Sequence, residues 1–215
     1  MSKLILASNT NFLDILDLND YLDIPIQKAK VLYIITGSNR VHDDSFVKRH
    51  LKRVAERNLN YTSYDIEGKS ETEISKTMED YDIIHMEGGN TFHILRTIYD
   101  TSFNKILKKR LDEGMNYIGT SAGSYVMTPS IITATWNDRD FDRSGLEDFS
   151  ALNYVPFVLK AHYSEDRKQS ILDNVSGLSW PLRILTDDQA IAVNNDDYNL
   201  IGNGPEITLE RLQNQ

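Results

Sequence analysis

The sequence predicts an α/β fold in which a mainly parallel sheet is flanked by helices, with β-hairpins near the carboxyl-terminal end. Three observations predict it. Short β-rich runs alternate with helix-period patterns through about residue 125. Several of those runs end in glycine-bearing loops, at Gly37, Gly88-Gly89 and Gly119. Beyond residue 180 the apolar runs shorten and are separated by Asp/Asn turns, the spacing of hairpins rather than of crossovers.

Taken in order, residues 3–7 read as the first strand, and residues 11–22 carry Phe12, Ile15, Leu16 and Leu22 at helical spacing. Residues 31–36 form a buried strand that runs into Gly37-Ser38-Asn39. Asp43-Asp44-Ser45 opens a helix to about residue 58, with Phe46, Val47, His50, Leu51, Val54 and Ala55 on one face. A strand over 61–66, a helix over 71–78 and a strand over 82–86 follow, the last running into Glu87-Gly88-Gly89-Asn90. Thr91 is placed to cap a long helix with Ile94, Leu95, Ile98, Phe103, Ile106 and Leu107 inward and a break near residues 100–102. Residues 117–119 form the next strand. After it, 131–136 and 155–159 read as strands, 165–175 as a helix, and 183–186, 190–193 and 199–202 as short strands. Binding loops in such sheets gather at the carboxyl ends of the parallel strands, so Gly37, Gly88-Gly89 and Ser121 are expected to converge.

The 215 residues suffice for one large domain, and no linker, repeat or low-complexity run divides them, so a single domain over 1–215 is expected. Cysteine is absent, which removes disulfides, cysteine-ligated zinc and a thiol nucleophile together. The amino terminus lacks the apolar run of a signal peptide, and no window reaches the roughly eighteen apolar residues of a membrane span. A soluble cytoplasmic protein is the expectation. A net charge of −9 repels a nucleic-acid backbone. The basic cluster Lys48, Arg49, His50, Lys52, Arg53 and Arg57 reads as a solvated helix face.

The chemistry concentrates in Gly119-Thr120-Ser121-Ala122-Gly123. A strand enters this Gly-x-Ser-x-Gly run and a small-residue, helix-compatible segment leaves it, the arrangement of a nucleophile elbow that lifts a serine hydroxyl above the sheet. A serine nucleophile needs a base within hydrogen-bond reach, commonly a histidine oriented by a carboxylate. Of five histidines, His50 and His93 fall on helices and His85 lies within a strand, while His42 sits in a loop and stays open as a base. His162 follows Ser121, ends an apolar run and precedes a helix, which makes it the expected base. The carboxylate has two possible positions. Asp138, Asp140, Asp142 or Glu147 would give the serine–acid–histidine order, and Asp187 or Asp188 the serine–histidine–acid order. Backbone N–H groups of Ala122 and of Gly88-Gly89 are the candidate oxyanion donors. No P-loop or other cofactor motif occurs, and the chemistry requires neither metal nor cofactor.

Gly88-Gly89-Asn90-Thr91-Phe92 followed by Gly119-Thr120-Ser121-Ala122-Gly123 resembles the peptidase E (aspartyl dipeptidase) family of serine peptidases, over most of the chain. The resemblance implies a fold like the class I glutamine amidotransferase domain, with serine in place of cysteine. It implies Ser121 as nucleophile, His162 as base and Asp187 as third member, standing where aspartyl dipeptidases carry glutamate. Gly88, Gly89 and Ala122 would form the oxyanion hole. Arg167, Asp138 and Asn90 would contact substrate, with Arg167 reading an acidic side chain. The partner implied is a short peptide, possible Asp-X dipeptides among them, bound by a monomer or homodimer. Two other readings compete: an α/β-hydrolase-type esterase using Ser121, Asp138 and His162, and a non-catalytic binding module of the same fold.

Overall fold

A computed structural model describes residues 2–136 and 145–214. Its elements are β1 (Lys3–Ala7), α1 (Phe12–Ile15), β2 (Lys30–Ile34), α2 (Ser45–Glu56), β3 (Asn60–Tyr64), α3 (Glu71–Met78), β4 (Ile83–Met86), α4 (Thr91–Asp100), α5 (Phe103–Asp112), β5 (Asn116–Thr120), α6 (Ala122–Tyr125), β6 (Val158–Lys160), α7 (Lys168–Asn174), β7 (Leu182–Ile184), β8 (Gln189–Asn194), β9 (Asp197–Gly202) and α8 (Leu209–Asn214). Seven strands form one sheet in the order β3-β2-β4-β5-β1-β8-β9. The first five run parallel, while β8 pairs antiparallel with β1 and with β9. This is the expected α/β architecture, with the β8–β9 hairpin at one edge.

Strand periodicity divides the core into two layers. Leu4, Leu6, Leu32, Ile34, Ile84, Met86 and Tyr117 face α3, α4, α5 and α6. Ile5, Ala7, Val31, Ile83 and Ile118 face the other way, against Phe12, Leu13, Leu18 and Val54. Because both faces are covered, the central strands are apolar throughout rather than alternating. The helix ends follow their side chains: Ser70 and Glu73 close a reciprocal capping box on α3. The cap of α4 is Asn90 rather than Thr91, its side chain accepting from the His93 N–H. The expected break between α4 and α5 falls at Ser102, whose φ is 57°.

Three expectations are corrected. Residues 11–22 do not form one helix: α1 ends at Ile15, and Asp17 turns its carboxylate onto the Asn19 N–H, starting a 3₁₀ turn at Leu18–Asp20. Residues 132–136 form a 3₁₀ helix, not a strand, with the Ile131 N–H bonded to the Phe149 carbonyl and the Thr133 hydroxyl to the Leu159 carbonyl. Finally, β7 joins no hairpin. It pairs parallel with β6 in a separate two-stranded sheet, through a crossover that contains α7. The basic face of α2 meets carboxylates: Arg53 and Arg57 both reach Asp14, Lys48 reaches Asp44, and Lys52 lies 3.8 Å from Glu56. No helix among the described residues is long and apolar enough to cross a membrane.

Candidate active site

The loops that leave β1, β2, β4 and β5 meet at the carboxyl edge of the parallel strands. β5 ends in the Gly-x-Ser-x-Gly turn, where Ser121 adopts φ 51° and ψ −111°, outside the regions an L-residue ordinarily occupies. The surroundings hold it there. The Ser121 N–H donates to the Ala7 carbonyl (2.9 Å), and the Ser121 carbonyl accepts from Ser124 (2.8 Å) and Tyr125 (3.1 Å). Ser124 Oγ donates to the same Ala7 carbonyl (2.7 Å). The two glycines are demanded by contact: a Cβ on Gly119 would lie 2.6 Å from the Gly123 carbonyl oxygen, and one on Gly123 would overlap the Met86 carbonyl of β4. The motif therefore packs the elbow against two neighbouring strands.

His162 arrives by a different route. Beyond the β6–β7 pair the backbones stay in register, with the Leu185 N–H donating to Lys160 and the Tyr163 N–H donating to Leu185. That register sets residues 162 and 187 side by side. Tyr125 of α6 ties them to the elbow, its hydroxyl accepting from the Ala161 N–H (2.9 Å). Ser121 Oγ lies 2.7 Å from His162 Nε2, and His162 Nδ1 lies 2.6 Å from Asp187 Oδ1. Partial burial pushes the Asp187 carboxyl up. The hydrogen bond and charge of His162, with hydrogen bonds from Asn9 and Ser8, outweigh that and hold it below the ordinary aspartate value. Asp188 faces elsewhere and accepts from the Asn11 side chain at 3.0 Å.

The oxyanion candidates divide. A Cβ on Gly88 would stand 3.2 Å from the Ser121 Cβ, so this backbone lies against the nucleophile. Its N–H, however, donates to Glu87 Oε1 at 2.7 Å and is already engaged. Gly89, at φ 125°, packs on Gly37 so closely that no other residue fits, and Asn90 donates to the Gly37 carbonyl at 3.0 Å. The N–H groups of Gly89 and Ala122 donate to no acceptor among the described residues. These two remain available.

Of the expected substrate contacts, Asn90 is buried and its Oδ1 caps α4. Arg167 stands in a 3₁₀ turn (Glu165–Arg167), half-buried, with no side-chain hydrogen bond or ion pair among the described residues. Asp138 lies outside the described residues. Two neighbours of His162 and Asp187 escape a reading of the sequence. Ser8 is fully buried; its Oγ accepts from the His162 N–H (2.8 Å) and donates to Asp187 Oδ1 (3.3 Å). Asn9 donates to the same carboxylate. Their signal was positional, because they open the polar run that leaves β1 at the edge where functional loops collect.

The model of peptidase family S51 matches residues 4–201. The chain belongs to peptidase family S51. An uncharacterized peptidase of Pasteurella multocida is 31% identical over 209 residues, which is 94% of this chain and 99% of that one. A peptidase E of a Shewanella species is 33% identical over 141 residues, 60% of this chain and 58% of its own length. Among solved structures, a protein described as a candidate peptidase E from Listeria monocytogenes superposes with a TM-score of 0.82 at 24% identity, covering 95% of this chain and all of that one. This S51 member is thus a peptidase, of the serine type, on a peptidase E-like α/β fold.

Proposed function

We propose that this S51 peptidase hydrolyses short peptides through a Ser121–His162–Asp187 triad. The observation that carries the reading is the continuous line of hydrogen bonds, 2.7 Å from Ser121 to His162 and 2.6 Å from His162 to Asp187. Ser121 attacks the scissile carbonyl carbon while His162 Nε2 takes the hydroxyl proton. The tetrahedral oxyanion is held by the N–H groups of Ala122 and Gly89. His162 then passes its proton to the leaving amine, and water repeats the sequence on the acyl-enzyme. Asp187 fixes the imidazole tautomer and balances its charge.

Arg167 supplies the substrate preference in this reading. Its guanidinium forms no ion pair among the described residues, with the Asp166 charge beside it, and stands five residues beyond the base, which suits an acidic side chain such as that of an Asp-X dipeptide. The esterase reading needs Asp138 at His162 Nδ1, the atom that Asp187 occupies.

The test is hydrolysis of Asp-X, Ala-X, Leu-X and Lys-X dipeptides by wild type, Ser121→Ala and Arg167→Met. Asp-X cleavage is expected to dominate, to fall at least about a thousandfold in Ser121→Ala, and to lose its preference in Arg167→Met. Equal cleavage of all four by wild type would discard the acidic preference. Undiminished hydrolysis by Ser121→Ala would discard the triad.

A further inference from the structure

Beneath the Gly88-Gly89 loop, on the α2 face of the sheet, lies a buried polar cluster that the triad does not use. Tyr33 of β2 donates its hydroxyl to Glu87 Oε2, and the Gly88 N–H donates to Glu87 Oε1. His85 of β4 contacts the Tyr61 hydroxyl through Nδ1 (3.3 Å) and the Thr120 hydroxyl through Nε2 (2.7 Å). His50 of α2 packs its ring on Tyr33 and edge-on to His85, with neither nitrogen hydrogen-bonded among the described residues. Tyr33, His50, His85 and Glu87 are all at most 1% exposed. The cluster touches the site on both sides, since Thr120 precedes the nucleophile and Glu87 precedes the oxyanion loop.

A cation would find ligand atoms of His50, His85 and Glu87 within 4.8 Å of one another. Yet both His85 nitrogens and both Glu87 oxygens are already spent on Tyr61, Thr120, Tyr33 and Gly88. The protonation of Glu87 is the freer variable. Both carboxylate oxygens accept, one from a phenol and one from a backbone N–H. A proton on Oε1 would oppose the Gly88 N–H, and one on Oε2 would oppose the Tyr33 hydroxyl unless that turned away.

We propose that Glu87 is a positioning residue for the oxyanion side of the site and acts when ionised: its carboxylate draws the Gly88 N–H inward, which fixes the peptide that presents the Gly89 N–H to the transition state. The inference rests on Ser121 being the nucleophile. Among the described residues, the groups that face Glu87 do not supply a compensating positive charge. Burial holds His50 neutral, down to about 3, with Arg53 on the same helix adding to the effect. Burial likewise keeps His85 neutral, and it pushes the Tyr33 phenol far up. Burial also raises the Glu87 carboxyl to about 7, against the lowering effect of the Tyr33 and Gly88 hydrogen bonds. Ionisation of Glu87 therefore falls near neutral pH.

The experiment is the rate of Ser121 phosphonylation by a fluorophosphonate probe, resolved into kinact and KI between pH 5 and 9. The probe's phosphoryl oxygen occupies the oxyanion hole and needs no particular peptide. Wild-type kinact is expected to fall on the acid side with a component near pH 7 that belongs to Glu87. Glu87→Gln keeps the size and planar shape without the charge and puts an amide donor where one acceptor stood; its profile should lack that component, with KI changed less than about twofold. Tyr33→Phe removes a bond that favours the carboxylate, so the Glu87 component should move to higher pH. A Glu87→Gln profile that keeps the component near pH 7, a wild-type profile that lacks it, or an effect confined to KI overturns the proposal. If Glu87→Gln does not fold, an unshifted profile in Tyr33→Phe overturns it instead. Ser121→Ala separates the two readings: labelling that persists in it defeats the triad, whereas labelling lost in it, with Glu87→Gln indistinguishable from wild type, defeats only the role of Glu87.

Discussion

Two non-glycine residues at the site, Ser121 and His162, hold positive φ angles of 51° and 60°. Such conformations cost on the order of 1–3 kcal/mol each and persist only where neighbours over-determine them. For Ser121 the neighbours are backbone groups of β1 and α6. For His162 the decisive neighbour is Ser8, whose hydroxyl accepts from the His162 N–H and donates a hydrogen bond to Asp187. Removing that hydroxyl leaves a partly buried N–H without its acceptor and takes a donor from the carboxylate. Ser8→Ala is expected to lower kcat by roughly ten- to a hundredfold with KM within about twofold, an effect of about 1.4–2.7 kcal/mol on the barrier. Steady-state kinetics on the preferred dipeptide checks this. A change in KM alone would assign Ser8 to substrate binding instead.

At the level of elements, the elbow is a contact between three strands as much as a turn. Gly123 of α6 lies on the Met86 carbonyl of β4, and Gly119 of β5 lies on Gly123. Gly123→Ala therefore forces β4 and β5 apart at the site and is expected to cost about 3 kcal/mol or more, read as a lowered urea midpoint. A midpoint unchanged from wild type would show that the elbow can move without loss. These glycines were legible in the sequence because they surround a serine at fixed spacing after a strand, and His162 was legible as the polar residue ending an apolar run. The choice between Asp187 and Asp188 was not legible: adjacent residues point opposite ways, and the register of β7 on β6 decides which meets the imidazole. Ser8 was hidden for a related reason, since its partner lies 154 residues away. Periodicity misled at residues 11–22, where Asp17 and Asn19 bond their own backbone neighbourhood and interrupt a helical pattern. It misled again at 132–136, where a β-branched run lies outside the sheet and coils into a 3₁₀ helix.

Across the whole molecule, the sheet collects its functional groups at one edge and places one of its least comfortable residues beneath them. A carboxylate ionised inside a core is costly, and no positive group among the described residues faces Glu87 to offset it. The native Glu87 carboxyl stands at about 7, against an ordinary 4.5 in the unfolded chain. Between those values the unfolded chain releases the proton that the native protein retains, so rising pH favours unfolding. The contribution of Glu87 is neutral below about 4.5, becomes unfavourable through 7, and is then constant. Its full extent is about 3 kcal/mol. Glu87→Gln carries no such dependence. Urea unfolding at pH 4.5, 6 and 8 is expected to show the variant gaining on wild type as pH rises, with most of the gain complete by 7.5. A stability difference that is flat across this range would mean that Glu87 holds the same charge folded and unfolded. The expected result would instead show a protein that surrenders stability at the pH where its oxyanion loop is best held, a trade of fold for function located in one buried carboxyl.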